Sequence, residues 1–350
     1  MPRLRPLVVL AAIAAVLGAC SGGATPAPSA GSSASSSVGP AGSSAPVSLT
    51  VGLGYIPSVQ FAPFYRADQA GYYAAEGLKV TFQNEIDANL VPKVGQGQVD
   101  LGLADGTSVI PAVSQGIPIK SVATIYGQFP SVVITKQGGG ATDAAGLKGQ
   151  KIGIPGKYGS SWVMLQALLG SANLTTGDVT IVEYPDFGQA AALAQGGIDA
   201  ATGFVNNEPV QLAKQGIQTN VLTVDQAVPL PGPGIIAGTA TIGSKRDAVA
   251  GFVRATLKAM NEIAADPQVG VDASIKAVPD LAKDQPTQLA ILQATIGAWR
   301  PVGASASAPL TGAIDTAGWG KSITALDGMK MLAKPVTTSD VTDPSFTSGS

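Results

Sequence analysis

The strongest constraint on this chain is a repeated exchange between two hydrophobic periods. From Val47 onward, short apolar runs alternate with stretches whose apolar residues recur every three or four positions. The short runs at 49–53, 79–82, 99–104, 120–125, 131–135, 151–154, 179–182, 198–203 and 234–240 read as strands. Between them, 63–75, 90–96, 108–115, 160–172, 188–195 and 209–215 read as helices, and the last third of the chain is mostly helical. Ser244 with Asp247 three residues later predicts a capping box that opens a helix over 246–265, which stops before Asp266-Pro267. Strands alternating with helices predict an α/β protein built on parallel sheets.

One internal echo sharpens this. Gly95-Gln-Gly-Gln-Val-Asp-Leu-Gly-Leu-Ala104 is answered by Ala194-Gln-Gly-Gly-Ile-Asp-Ala-Ala-Thr-Gly203. Both read as a helix end, a tight glycine turn and a buried strand opened by Val-Asp or Ile-Asp. Two such units about a hundred residues apart point to two lobes of one topology, with a chance likeness of common glycine-rich turns as the alternative.

Composition removes several chemistries. The 350 residues contain no His and one Cys, which excludes a Ser-His-Asp triad, an imidazole base, His-bearing zinc sites and an internal disulfide. A formal net charge of −2 gives no broad basic surface for nucleic acid. Aromatic residues are scarce at 5%, so where they fall is informative.

The first 46 residues place the body rather than build it. Arg3 and Arg5 precede an uninterrupted apolar run over 7–17, which at 11 residues falls well short of the roughly 20 that span a bilayer. Residues 1–19 therefore read as an export signal. Leu17-Gly18-Ala19-Cys20 resembles a bacterial lipobox, making Cys20 the expected lipidation site and placing the protein on the outer face of the cell membrane. In 21–46, 24 of 26 residues are Ser, Ala, Gly or Pro, the composition of a flexible tether.

A family resemblance enters with Gly54-Tyr-Ile-Pro-Ser-Val-Gln-Phe-Ala-Pro-Phe-Tyr65 and Ala70-Gly-Tyr-Tyr-Ala-Ala-Glu-Gly-Leu-Lys-Val80. It continues through 102–107, 114–119, 147–155 and 158–161, and is strongest at Gly203-Phe-Val-Asn-Asn-Glu-Pro-Val-Gln-Leu212. These segments resemble extracytoplasmic solute-binding proteins of the thiamine-pyrimidine, riboflavin and alkanesulfonate importers, over nearly all of the body. The resemblance implies a two-lobed, type II periplasmic-binding-protein-like fold, hinged on two crossing strands near 132–136 and 233–240. Lobe one would comprise 47–134 with 237–350, and lobe two 135–236. It also implies an ABC permease and its ATPase as partners, a monomeric receptor, and a cargo rather than a cofactor or metal. The forms Gln60-Phe61-Ala62-Pro63 and Asn206-Asn207-Glu208-Pro209 look most like the riboflavin branch, with a thiamine pyrimidine precursor as the alternative. An extracytoplasmic enzyme or a ligand-free sensor on the same scaffold are the other readings. The iron-dependent pyrimidine synthesis of eukaryotic relatives draws on a His and a Cys-rich motif that this chain lacks.

The matching motifs lie after strands, where open α/β sheets hold their ligands. A planar heterocycle needs stacking on its faces and directed hydrogen bonds at its edge. Tyr55, Phe61, Tyr65, Tyr126, Tyr158 and Trp162 are the candidate stacking groups, with core packing as the alternative, above all for Phe61 and Tyr65. Asn206, Asn207, Glu208 and Gln60 are the candidate edge contacts; one of the first three is expected to cap the helix opened by Pro209. Asp105 either meets ligand hydroxyls or caps the next helix. Ser160 and Ser161, at a helix start, offer hydroxyls and N–H groups to an oxygen-rich part of a ligand. No catalytic residue is expected.

Overall fold

The computed structural model describes residues 45–224 and 228–347. The segment read as an export signal, the expected lipidation site Cys20 and nearly all of the expected tether lie outside these residues. Among the described residues, no helix is long and apolar enough to cross a membrane.

Ten strands form two five-stranded sheets. They are β1 (Val47–Gly52), β2 (Leu78–Gln83), β3 (Leu101–Ala104), β4 (Ile119–Thr124), β5 (Ser131–Lys136), β6 (Lys151–Ile154), β7 (Thr180–Glu183), β8 (Ala200–Phe204), β9 (Thr219–Leu222) and β10 (Gly234–Gly238). The helices between the strands are α1 (Ala62–Gln69), α2 (Tyr72–Ala75), α3 (Asp87–Gly95), α4 (Gly106–Ser114), α5 (Gly159–Ser171), α6 (Gln189–Gln195) and α7 (Glu208–Lys214). After β10 come α8 (Thr239–Ser244), α9 (Arg246–Ala265), α10 (Pro267–Ala277), α11 (Gln285–Ala298), α12 (Thr316–Gly328) and α13 (Thr338–Val341).

The first sheet runs β2-β1-β3-β10-β4 and the second β7-β6-β8-β5-β9. The two orders are equivalent position by position, so the echoed segments feed the same place in each sheet: α3 leads into β3, and α6 into β8. The shared Val/Ile-Asp has a physical role. Asp100 Oδ2 accepts the Thr50 N–H at 2.9 Å and Asp199 Oδ2 accepts the Lys151 N–H at 2.8 Å. In return, the Asp100 and Asp199 N–H groups donate to the Thr50 and Lys151 carbonyls. Each aspartate thus ties the start of its strand to the strand beside it.

The sheets are mixed, which corrects the all-parallel expectation. β1 pairs parallel with β2 and β3, and β6 with β7 and β8, but β10 runs antiparallel to β3 and β4, and β5 to β8 and β9. The chain leaves β4 directly for β5 in the other sheet and returns from β9 directly to β10. Each passage leads into a strand of the other sheet, so neither is a crossover between parallel neighbours of one sheet, and among the described residues neither contains a helix.

Further local departures have local causes. The helix expected over 63–75 is broken into α1 and α2 at Gly71, whose φ of 73° is left-handed. The capping box at Ser244 is not formed: Ser244 closes α8 and its hydroxyl donates back to the Ala240 carbonyl at 2.8 Å, leaving α9 without a side-chain cap. β9 was not foreseen, because Thr-Asn-Val-Leu is short and half polar.

Both faces of each sheet are covered. Ile235 and Ile236 of β10 fall in different apolar clusters, as do Val132 and Val133 of β5, the period-two signature of a strand buried on both faces. One face of the first sheet packs on α1, α9, α10 and α11 around stacked Tyr73 and Phe252, whose ring centroids lie 4.9 Å apart. Phe64, Tyr65 and Phe82 join that aromatic cluster. Tyr65 is therefore a core residue, and the scarce aromatics divide between core and cleft.

Candidate functional site

A cavity with about 920 Å³ of empty space, counting its mouth, opens at the carboxyl ends of strands from both sheets. From the first sheet it receives Leu53 to Tyr55 after β1, Gln60 and Phe61 on the following 3-10 turn, Leu103 to Asp105 at the end of β3, and Tyr126. From the second it receives Tyr158 to Ser161 at the start of α5, Phe187 and Gln189 after β7, and Gly203, Phe204, Asn207 and Glu208 after β8. Parallel strands make this possible, since neighbouring strands then deliver their exits to one edge. Neither Lys nor Arg is among the described residues that line it.

Ten of the twelve expected ligand residues meet there: Tyr55, Gln60, Phe61, Asp105, Tyr126, Tyr158, Ser160, Ser161, Asn207 and Glu208. Trp162 does not. One position beyond Ser161 on α5, it is turned by about 100° around the helix and packs against the apolar cluster that α5 shares with β5 and β6. Asn206 does not line the cavity either. It is buried, and its Nδ2 donates to Gln60 Oε1 at 3.0 Å and to Thr295 Oγ1 of α11 at 2.7 Å.

Asp105, Asn207 and Glu208 have defined partners. Asp105 is the N-cap of α4 and accepts the Thr107 N–H at 2.8 Å, so it caps while also lining the cavity. Asn207 occupies the N-cap position of α7 but makes no side-chain cap bond. Its Oδ1 accepts from Gln211 Nε2 at 2.8 Å and its Nδ2 donates to Glu208 Oε1 at 3.2 Å. Glu208 folds back so that Oε2 accepts the Phe204 N–H at 2.7 Å. None of the three residues of that run caps α7 through its side chain, contrary to expectation. Pro209 lies in the helix's first turn and has no N–H to satisfy.

Burial sets the electrostatics. It pushes the Glu208 carboxyl above the ordinary glutamate range, opposed by the N–H groups of Phe204 and Glu208 itself and by Asn207. Burial also raises the Tyr55 hydroxyl, and the nearby Glu208 charge raises it further. The Tyr126 hydroxyl is raised by burial, with Asn206 and Thr295 opposing. The two phenols therefore stay neutral at physiological pH and hydrogen-bond as neutral groups.

Sequence reasoning missed Phe187 and Gln189. Phe187 has φ 61°, left-handed for a residue with a Cβ, and its ring meets Tyr55 edge-on, centroids 4.9 Å apart and planes at 85°. Such a backbone costs about 1–3 kcal/mol and concentrates at functional sites. The turn Pro185-Asp186-Phe187-Gly188 directly after a strand carried the signal.

Known proteins supply the context. Residues 58–269 match the NMT1/THI5 like family. The chain is 34% identical over 306 residues to the riboflavin-binding protein RibY of Chloroflexus aurantiacus, covering 86% of each chain. It is 28% identical over 232 residues to the 4-amino-5-hydroxymethyl-2-methylpyrimidine phosphate synthase of Aspergillus parasiticus, covering 62% of this chain and 67% of that one. In fold it is similar to the alkanesulfonate-binding protein SsuA from Xanthomonas axonopodis pv. citri bound to MOPS, with a TM-score of 0.67, 17% identity, and coverage of 85% and 99% of the two chains. Two mixed α/β sheets joined by two direct passages are thus the two-lobed type II periplasmic-binding-protein fold, and the chain belongs to the NMT1/THI5-like family.

Proposed function

We propose that this protein is the extracytoplasmic solute-binding component of an ABC importer, and that it captures riboflavin in the cavity between its two sheets. The carrying observation is the cavity's lining: aromatic side chains from both sheets, buried amides, the carboxyl groups of Asp105 and Glu208, and no cationic side chain among the described residues. That environment suits an uncharged planar heterocycle better than an anion. The likeness to RibY over most of both chains supports the choice of riboflavin. On this reading the ligand is cargo, passed to a membrane permease and its ATPase, and a diacylated Cys20 holds the receptor at the outer face of the membrane.

One observation favours a second ligand. The Glu208 carboxylate borders the cavity and suits the amino edge of a thiamine pyrimidine precursor. Purification of the protein followed by flavin fluorescence titration separates the two. Yellow colour on purification, or quenching at low micromolar riboflavin or below, supports the first reading. A colourless protein that ignores riboflavin and is stabilised by hydroxymethylpyrimidine overturns it in favour of the second. Chemical conversion of either bound ligand would instead make the protein an enzyme.

A further inference from the structure

Several polar side chains around the cavity are engaged by neighbouring side chains or backbone. Glu208 takes the Phe204 N–H and Asn207 Nδ2, Asn207 Oδ1 takes Gln211 Nε2, and Gln60 Oε1 takes Asn206 Nδ2. Two buried amide oxygens here have no hydrogen-bond partner among the described residues, Asn206 Oδ1 behind the cavity and that of Gln189, and of the two residues only Gln189 lines the cavity. Gln189 is the first residue of α6 and is 1% exposed. Its Nε2 donates to the Thr202 carbonyl on β8 at 3.1 Å, which fixes the amide's orientation, because only the nitrogen end can donate there. The other end, Oε1, is buried and has no hydrogen-bond partner among the described residues.

The stem of the side chain is also closely packed. A Cβ on Gly153 of β6 would stand 2.9 Å from Gln189 Cβ, so the Gln189 stem lies directly against bare strand backbone. Thr202 Oγ1 in turn donates to the Gly153 carbonyl at 3.3 Å, tying β8, β6 and the amide into one unit. A buried acceptor without a donor is unfavourable, and native proteins rarely keep one without a use. Two residues earlier, Phe187 also lines the cavity, so one turn contributes an aromatic side chain and a buried amide to its wall.

We propose that Gln189 Oε1 accepts a hydrogen bond from a ring N–H or ring amine of the bound heterocycle and makes Gln189 a specificity-determining residue of the site. This rests on the heterocycle-binding reading above. An amide oxygen held in this way rewards a ligand edge that carries a donor and rejects the same edge once it is alkylated.

The test is a cycle of two ligands and two proteins, read by fluorescence titration of the full-length chain. The ligands are riboflavin and riboflavin methylated on its imide nitrogen. The proteins are the wild type and Gln189→Met, which keeps the length of the side chain and removes the acceptor. Methylation is expected to weaken binding to the wild type by about tenfold or more, and to Gln189→Met by less than about threefold. Equal loss in both proteins, or equal binding of both flavins by the wild type, overturns the assignment of Gln189 and leaves the flavin reading standing. If the wild type binds hydroxymethylpyrimidine instead, its N-methylamino derivative replaces the methylated flavin with the same expected outcome. Binding of neither parent ligand by the wild type overturns both readings. The wild-type comparison needs no variant to fold, and Gly153→Ala, which displaces the Gln189 stem, is expected to blunt the discrimination independently.

Discussion

Asn206 Nδ2 donates to Gln60 Oε1 at 3.0 Å, joining the turn after β8 of the second sheet to the turn after β1 of the first. The same nitrogen reaches Thr295 Oγ1, so α11 is held to both turns. Asn206 is thereby a bracket behind the cavity rather than part of its wall. Asn206→Ala leaves two buried acceptors without their donor and is expected to cost about 1–3 kcal/mol of stability. Urea unfolding measures it; an unchanged midpoint would show that the bracket contributes nothing.

Phe187 combines backbone strain with an aromatic contact, and the two can be separated. Phe187→Gly relieves a left-handed backbone at a cost of roughly 1–3 kcal/mol and removes an edge-on pair with Tyr55 that contributes about 0.5–1.5 kcal/mol. Between the extremes of these ranges, the unfolding free energy is expected to move from about 0.5 kcal/mol lower to about 2.5 kcal/mol higher, while affinity for a planar ligand falls about tenfold. Calorimetric unfolding and ligand titration on the same preparation check both halves. A large loss of stability with affinity intact would contradict this account.

Glu208 makes stability depend on pH. Its carboxyl is raised by burial, so the folded protein binds the proton more tightly than the unfolded chain does. The contribution is present at acid pH and is lost as pH rises from the ordinary glutamate range through the raised value. Glu208→Gln removes the charge while retaining an oxygen for the Phe204 N–H. Its stability is expected to decline less than that of the wild type as pH rises from 4 to 8, on the order of a glutamate's titration window. Parallel declines in the two proteins would place the pH dependence elsewhere.

Asp100 and Asp199 do the same work in different surroundings. Asp199 is exposed, whereas Asp100 is partly buried and also pairs with Lys245 Nζ at 2.7 Å. Asp199→Ala is expected to cost about 0.5–1.5 kcal/mol, and Asp100→Ala about 1–3 kcal/mol. Chemical unfolding of the two variants side by side tests the order; a reversed order would mean that the Lys245 pair adds nothing.

Much of this was legible in the residues. Apolar runs marked nine strands to within a residue or two at most ends, and the Val/Ile-Asp echo anticipated two sheets of one topology. The cleft motifs after β1, β3, β6 and β8 converge as the family resemblance implied. What could not be read depends on distance in space rather than in sequence. Nothing local to Ser131–Lys136 or Gly234–Gly238 tells a parallel strand from an antiparallel one, because both are buried on two faces and present the same apolar run. Asn206 and Asn207 are adjacent and identical, yet one braces α11 and the other borders the cavity. Tyr65 and Tyr55 look alike in sequence, yet only Tyr55 reaches the cleft. Phe187 has no hydrophobic period to mark it, and only the turn residues around it after β7 point to its place.

The position of β10 has a consequence for how the protein comes into being. It is a central strand of the first sheet, between β3 and β4, yet about 110 residues separate it from the end of β4. All of the second sheet is synthesised in that interval. A chain emerging from the ribosome therefore holds an unfinished first sheet, with β3 and β4 lacking their shared neighbour, until nearly the whole second sheet has followed. The topology itself therefore delays completion of the first sheet until the strands of the second have been made.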